Sequence, residues 1–281
     1  MGDERITTHR GISCVTFSAL DDLGFLKHGF TLRTGGVSKG YYDSLNLSYT
    51  LEDDEADVAE NFRRLAGFFD TTPDHIVSAY QTHTADIRRV TAEDAGKGVT
   101  RERLYPDYDG LITNEPGLVL TTAHADCAPI CMADPVNKAV AVVHSGWRGT
   151  AELIAANAIK AMHDEFGTNP DDIVAAIGPC ICGACYEVGE VVADRFISRY
   201  GSLTSFSDCS GMGAMLKPKG EGVYLLNLKA VNVRILMNTG VRLSNISVSG
   251  YCTFEREDMF YSDRRMGKKR GSLRAFIVIN K

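Results

Sequence analysis

The sequence lacks the long apolar run that a membrane-spanning helix requires. No stretch of its 281 residues approaches the roughly 20 consecutive apolar side chains needed, although 44% of the residues are hydrophobic. The N-terminus, MGDERI, has no basic region followed by an apolar stretch, and Ile6 stands where N-myristoylation requires Ser or Thr. We therefore expect a cytoplasmic protein without a membrane partner.

An excess of positive charge is also missing. The chain has 36 acidic and 30 basic residues, which gives a net charge of −6 at pH 7. Its one basic cluster, from Arg264 to Arg270, is short and is typical of a local anion site or a solvated loop. We therefore expect no nucleic-acid partner.

Linkers, repeats and low-complexity tracts are absent, so we predict a single domain over residues 1–281. Eight cysteines in a chain without a secretory signal are expected to be reduced thiols, and most of them to be packing residues. Strands are predicted at residues 11–17, 28–33, 76–81, 118–132, 139–144, 173–177, 222–227, 246–251 and 273–280. Helices are predicted at residues 54–69, 150–166, 189–200 and 229–238. Strands with helices scattered among them, without strict alternation, predict a mixed α+β fold with helices packed on the sheets.

Three polar residues each end a strand-like run: His83 in SAYQTHT, Cys127 in LVLTTAHADCAPI and His144 in AVAVVHSGWRG. Two imidazoles and a thiolate form a zinc ligand set that leaves a fourth position open. The three come from distant segments, so their spacing leaves a coincidental trio, with a solvated histidine capping a core strand, as the alternative. A cysteine nucleophile with a histidine base is a further alternative.

A second cysteine-rich stretch is GPCICGAC, with Cys180, Cys182 and Cys185. A structural zinc site needs a fourth ligand, and the chain has no second C-x-x-C pair. We therefore interpret these thiols as packing residues in a glycine-rich turn.

Two arginines lie beside glycines. Arg33 precedes Gly35 and Gly36 in TLRTGGVSKG, where an arginine fork and approachable backbone N–H groups could bind an anion. The alternative is an ordinary hairpin turn. Arg148 lies just before a predicted helix, where an anion would relieve its repulsion from the helix N-terminus. The alternative for Arg148 is an ion pair with an acidic neighbour, either Asp126 or Glu152.

Several stretches distributed from about Gly29 to Arg265 stand out together: HGFTLRTGGVS, YDSLNLS, QTH, DGLIT, ADCAPICMAD, AVVHSGWRG, AAIGPCICGACYEVG and FYSDRR. In these the chain resembles the laccase-domain (YfiH/YlmD-like) family, once described as multicopper polyphenol oxidases and now as zinc-containing purine nucleoside phosphorylases. The resemblance implies a YfiH-like fold with the α/β/β/α layering of cysteine hydrolases. It also implies that His83, Cys127 and His144 are metal ligands and catalytic residues, with zinc as the cofactor and copper as the alternative metal. His124, an extra imidazole just ahead of A-D-C, departs from the family pattern.

The resemblance implies a purine nucleoside phosphorylase for adenosine and inosine, with adenosine deaminase and S-methyl-5'-thioadenosine phosphorylase activities. Phosphorolysis passes through a cationic sugar that phosphate attacks, so we predict Arg33 and Arg148 as anion ligands and Asn46 and Gln81 as polar contacts. The partners are then small molecules, and a monomer suffices.

Three other functions are alternatives to this one. A laccase needs a trinuclear copper cluster, which requires more imidazoles than seven histidines can supply. A cysteine hydrolase or amidase that edits cell-wall peptide precursors would use Cys127 as nucleophile and His144 or His83 as base. A purely structural zinc is disfavoured, because a chain of this size does not need a metal to hold its core.

Overall fold

Two six-stranded sheets face each other at the centre of the computed structural model, which describes residues 3–103, 107–200 and 213–281. The order of the first sheet is β1 (Glu4–His9), β2 (Ile12–Phe17), β3 (Leu26–Thr31), β15 (Leu273–Ile279), β7 (Val119–His124) and β4 (Ile76–Ser78). The order of the second sheet is β14 (Ile246–Val248), β10 (Val174–Ile177), β8 (Ala128–Asp134), β9 (Ala139–Ser145), β6 (Gly110–Thr113) and β5 (Ile87–Arg89). A small third sheet contains β11 (Glu187–Gly189), β13 (Val223–Leu226) and β12 (Leu216–Gly220).

Helices cover the outer faces of the two large sheets. A short helix, α1 (Ser18–Asp21), joins β2 to β3. Helix α2 (Glu55–Phe68) packs on the first sheet, and α4 (Ile154–Phe166) packs on the second with α6 (Leu228–Asn238) beside it. Helix α5 (Glu190–Tyr200) packs on strands β11 and β13 of the third sheet. A separate apolar cluster fills the space between the sheets. This arrangement confirms the predicted mixed α+β class and its α/β/β/α layering. Within the described ranges, no helix combines the length and apolarity needed to cross a bilayer.

Strand order brings the ends of β8 and β9 together. The two strands pair antiparallel, with Ala128 opposite Ser145 and Pro129 opposite His144. The residue that precedes β8, Cys127, therefore lies beside the residues that end β9. Two candidate ligands that are distant in sequence become neighbours through this register alone.

The predicted strand at residues 118–132 was wrong, because it is two strands in different sheets. Strand β7 ends at His124 in the first sheet and β8 begins at Ala128 in the second, so the chain changes sheet in between. Asp126 makes this crossing with a φ of 90°, a conformation that costs a non-glycine residue free energy. A continuous apolar run conceals such a crossing, because both strands are buried on both faces.

The predicted helix at residues 150–166 was also divided. A short helix, α3 (Trp147–Ala151), comes first, and Leu153, with a φ of 63°, separates it from α4. Thr150 lies inside α3 and donates to the Gly146 carbonyl, so it does not cap a helix. The prediction missed β1, whose residues are mostly exposed, and the short strands β5, β6, β11 and β12, whose few residues carry little periodicity.

The glycine-rich turn after β3 packs against α2. The buried Asn61 amide of α2 accepts a hydrogen bond from Val37 N and donates to Ser38 Oγ. Gly36 lies so close to the neighbouring backbone that a Cβ there would be 2.1 Å from the Ser44 carbonyl oxygen. The turn therefore needs its glycine for close packing of backbone against backbone.

We expect Gly36→Ala to lower the free energy of unfolding by about 1–3 kcal/mol, because the clash is with main-chain atoms that cannot move aside. The matched control is Gly67→Ala in α2, where the nearest atom to the new Cβ is 3.7 Å away. That variant is expected to be unchanged or more stable by up to about 1 kcal/mol. Urea unfolding measures both, and equal stabilities would contradict the packing argument.

Candidate metal centre

The structure brings the three predicted metal ligands together, although among them only His144 lies within a strand. One ligand atom from each of His83, Cys127 and His144 lies within 4.8 Å of the other two. The ring centroids of the two histidines are 5.0 Å apart and the rings are nearly perpendicular. His144 is buried, Cys127 is half-buried and His83 is exposed, so the group lies between the interior and solvent.

A buried carboxylate, Asp109, connects the two histidines. Its Oδ2 accepts from His144 Nδ1 at 2.6 Å, and its Oδ1 accepts from the backbone N–H groups of Thr82 and Thr84 at 3.1 and 2.9 Å. With Nδ1 bonded to Asp109, the Nε2 of His144 is left as the ligand atom. The threonine bonds flank His83 and hold it at a φ of 65°, a strained conformation.

Asp109 was missed as a site residue, although it begins the quoted stretch DGLIT. It directly precedes β6, which pairs with β9, and its own carbonyl accepts from His144 N at 2.7 Å. An acidic residue at the start of a strand beside the His144 strand was the available signal. The pairing of those two strands could not be read from the sequence.

The charges of the site favour a thiolate. Burial raises the pKa of the Cys127 thiol, but the charge of His144 and hydrogen bonds from His144 and His83 outweigh burial and lower that pKa to about 6. Burial lowers the pKa of His144, whereas the Cys127 thiolate and the Asp109 carboxylate raise it to about 10. A thiolate beside two imidazoles is a donor set that suits zinc or copper, so the residues present fit such an ion.

Gly146 leaves room for all three side chains. A Cβ at this position would lie 2.9 Å from His83 Cδ2, 3.2 Å from Cys127 Sγ and 3.5 Å from His144 Cε1. Only a glycine lets the three ligands close over the turn that follows β9. This explains why the chain passes from His144 directly into a glycine-containing turn.

A cavity of about 810 Å³ opens beside the trio and is lined by all three residues. Its volume lies within the range of small-molecule sites, about 300–1,000 Å³. Tyr49 lines it with an exposed ring stacked on Phe62, the centroids 5.4 Å apart. The cavity thus combines an aromatic face with a cluster of metal-ligating groups.

Arginines give this cavity positive charge. Arg274 is buried and donates to the Leu47 carbonyl and to Ser78 Oγ, and burial together with the nearby Arg103 charge lowers its pKa to about 9. The Arg103 guanidinium lies 3.9 Å from the centroid of the Tyr80 ring. Within the described ranges, Arg103 makes no hydrogen bond or ion pair, so its donors remain available to an anion.

His124 also lines the cavity, with its ring centroid 5.4 Å from that of His144. Its Nε2 shares a hydrogen bond of 2.7 Å with Thr122 Oγ1, and its buried Nδ1 has no hydrogen-bond partner among the described residues. Burial, followed by the charges of His144 and Arg274, lowers the pKa of His124 well below its usual value. The residue is therefore a neutral imidazole near the trio.

Two of the predicted substrate contacts lie outside the residues that line the cavity and are held by the protein itself. Arg33 donates through three nitrogens to the carbonyls of Asp43 and Glu257. Asn46 is fully buried, donates to Asp53 Oδ2 and accepts from Ser272 N. Substrate binding by Arg33 and Asn46 stays a prediction that these contacts do not support.

Of the other two predicted substrate contacts, Gln81 lies at the cavity and Arg148 does not. Gln81 lines the cavity, and its amide exchanges two hydrogen bonds, of 2.6 and 2.7 Å, with the backbone of Ala123. Arg148 is exposed, stacks on Trp147 at 4.4 Å and is not among the lining residues. Neither acidic partner considered for Arg148 takes that role, because Asp126 accepts from Thr253, Ser262 and Arg264 and Glu152 pairs with Arg199.

Comparison with known proteins identifies relatives of this chain. The family described as multi-copper polyphenol oxidoreductase laccase matches residues 27–280. The purine nucleoside phosphorylase YlmD of Bacillus subtilis (strain 168) is 38% identical over 250 residues, which cover 89% of this chain and 87% of that protein. The adenosine deaminase RL5, from an unknown prokaryotic organism, is 30% identical over 262 residues, covering 90% and 95% of the two chains. The crystal structure of YlmD from Geobacillus stearothermophilus matches with a TM-score of 0.89 at 34% identity, over 99% of this chain and 100% of that one.

We expect Asp109→Asn to weaken zinc binding by about 10–100-fold, because an amide places N–H groups where Thr82, Thr84 and His144 all need an acceptor. Competition with a chromophoric chelator measures the affinity. Asp86→Asn is the matched control, since Asp86 is exposed and its carboxylate lies outside this network. Equal zinc affinities for the two variants would show that Asp109 does not position the ligands.

We expect Gly146→Ala to lower zinc affinity at least tenfold while leaving the fold intact, because the new methyl group would press on His83 and Cys127. Gly189→Ala provides the control, since nothing lies within 4 Å of a Cβ there. Zinc content after dialysis and circular dichroism together test the expectation. Full zinc retention by Gly146→Ala would show that the ligands do not need the space that this glycine leaves.

Proposed function

The chain belongs to the multi-copper polyphenol oxidoreductase laccase family, and from this premise we propose that it is a zinc-dependent purine nucleoside phosphorylase acting on adenosine and inosine. Adenosine deamination and phosphorolysis of S-methyl-5'-thioadenosine are proposed as further activities of the same site. The observation that carries the proposal is the convergence of His83, Cys127 and His144 on the wall of an 810 Å³ cavity. The relatives named for phosphorolysis and deamination support it.

Oxidase chemistry of the laccase type does not suit this donor set. A trinuclear copper cluster needs more imidazoles than the site can provide, since only His83, His124 and His144 line the cavity in the described part of the chain. The family description therefore does not define the reaction that we propose.

We propose that Arg103 binds the attacking phosphate. Its guanidinium is the cationic group of the cavity whose donors are not engaged within the described residues, whereas Arg101 and Arg270 donate to carbonyl oxygens and Asp263. A planar guanidinium suits the oxygens of a phosphate, and the nearby positive charge of Arg274 adds to the attraction.

We propose that the purine stacks on Tyr49, whose exposed ring is fixed against Phe62. The nucleoside would then lie between the aromatic face and the trio of His83, Cys127 and His144. Bound zinc would supply Lewis-acid chemistry at this end of the substrate. Asp109 would keep the His144 ring oriented throughout, because its carboxylate is fixed by backbone donors.

The proposal assigns the activity to the cytoplasm. Seven cysteines in the described residues are unpaired, which suits a reducing compartment.

We expect the zinc-loaded protein to release hypoxanthine from inosine only when phosphate is present, and Cys127→Ser to lose both zinc and activity. Arg103→Met is expected to raise KM for phosphate by about 10–100-fold, the value of a lost charge-assisted hydrogen bond, while KM for inosine changes little. Arg89→Met is the control, because Arg89 pairs with Glu165 and does not line the cavity. Hypoxanthine release that does not depend on phosphate would contradict phosphorolysis, and equal changes in both KM values would contradict the role of Arg103.

One observation favours a second candidate, a cysteine hydrolase or amidase acting on cell-wall peptide precursors. Cys127, His144 and Asp109 form a connected series of thiol, imidazole and carboxylate, and the Cys127 pKa is lowered to about 6. A thiolate bound to zinc is a poor nucleophile, so the two functions compete for Cys127. Alkylation of the zinc-loaded protein separates them: protection of Cys127 supports the metal site, whereas rapid alkylation at full zinc content supports the hydrolase.

A further inference from the structure

A second cluster of metal-ligating side chains lies outside the cavity. One ligand atom from each of Cys182, Cys185, Cys252 and Glu255 lies within 4.8 Å of the others. The sequence interpretation set Cys182 and Cys185 aside because the chain has no second C-x-x-C pair. The structure supplies the missing ligands from a C-x-x-E segment located 70 residues further along the chain.

The distances from Glu255 to two of the thiols are close to those of a tetrahedral zinc site. Zinc lies about 2.3 Å from a cysteine sulfur and about 2.1 Å from a carboxylate oxygen, so neighbouring S and O ligands are about 3.6 Å apart. Glu255 Oε1 is 3.5 Å from Cys185 Sγ and 4.0 Å from Cys182 Sγ. All four ligand atoms lie within 4.8 Å of one another, so side-chain movements of about 1 Å or less would complete the coordination sphere.

The four ligands form two pairs, Cys182 with Cys185 and Cys252 with Glu255, and each pair lies on a tight turn closed by a backbone hydrogen bond. Cys185 N donates to the Cys182 carbonyl, closing the first turn, and Arg256 N donates to the Cys252 carbonyl, closing the second. The two turns meet where Cys182 N donates to Cys252 Sγ at 3.3 Å, a contact that stabilises a thiolate. The backbone therefore holds all four ligands before any ion binds.

The Glu255 carboxylate is directed at the thiols of the cluster. Among the ion pairs of the described part of the chain, none involves Glu255, whose Oε1 contacts the two thiols. Three soft sulfur ligands favour zinc over magnesium or calcium, and four protein ligands leave no open position for a substrate.

We propose that Cys182, Cys185, Cys252 and Glu255 form a second, structural zinc site, separate from the trio at the cavity. The site joins the segment that follows β10 to the segment that follows β14. Both segments also hold Asp126 next to Cys127: Ile181 N donates to the Asp126 carbonyl at 3.0 Å, and Thr253 Oγ1 donates to its carboxylate at 2.6 Å. The second zinc thus stabilises the loops that support the Cys127 turn.

Zinc stoichiometry tests this proposal. Protein prepared metal-free under reducing conditions is loaded with zinc alone, desalted and analysed for metal. We expect two zinc ions per chain in the unmodified protein and in the control Cys14→Ala, whose thiol is buried in β2 away from both clusters. Cys127→Ser and Cys185→Ser are each expected to keep one ion, and the double variant none.

Cobalt(II) alone, loaded into Cys127→Ser, gives an independent signal. We expect strong sulfur-to-cobalt charge-transfer absorption from the three remaining cluster thiolates, and its loss when Cys185→Ser is added. Should Cys185→Ser fail to fold, the exposed Glu255→Gln decides, and we expect it to weaken one of the two zinc sites at least tenfold.

Three results would overturn the proposal. One is a single zinc ion per chain that disappears in Cys127→Ser. Another is a disulfide among Cys182, Cys185 and Cys252 in the zinc-loaded protein, detected as a mass lower by two hydrogens. The third is unchanged binding at both sites in Glu255→Gln.

Discussion

The candidate site depends first on the buried carboxylate of Asp109. It accepts hydrogen bonds from the His144 ring, from the Thr84 hydroxyl and from the two N–H groups that flank His83. Burial favours the protonated carboxyl, but these donors, His144 above all, keep the Asp109 pKa below its usual value. One ionised group therefore holds together a loop from the first sheet and a strand end from the second.

Asp126 is the second point on which the arrangement depends. The chain crosses from one sheet to the other there, in a strained conformation, and places Cys127 next to the end of β9. Strain of this kind persists only where surrounding contacts outweigh it. The contacts come from two later segments of the chain, and the second cysteine cluster lies on those same segments. The same two segments thus support the Cys127 turn and carry the proposed structural zinc site.

Arg33 and Arg103 are both half-buried, but their hydrogen-bond donors are used differently. Arg33 is used on main-chain carbonyls between loops, whereas Arg103 stacks on Tyr80 in the cavity wall with its donors not engaged by the described residues. The turn around Arg33 has the composition of an anion site, yet its glycines serve close packing. Gly35 lies against the Gly11 carbonyl, and Gly36 lies against the Ser44 carbonyl and the Asn61 side chain of α2. The donors of Arg33 are thus already used by main-chain carbonyls, whereas those of Arg103 are available to an anion within the described residues.

The sequence alone determined those features that local patterns and short motifs encode. Apolar runs and helical periodicity sufficed for the mixed class. Polar residues at predicted strand ends, together with the family motifs, singled out His83, Cys127 and His144, which the structure brings together. Tertiary structure alone decided the rest: the sheet crossing at Asp126, the carboxylate of Asp109 and the union of Cys182 and Cys185 with Cys252 and Glu255. The physical reason is that each of these depends on which distant segments pair, and the register between strands leaves no mark in the composition of either segment.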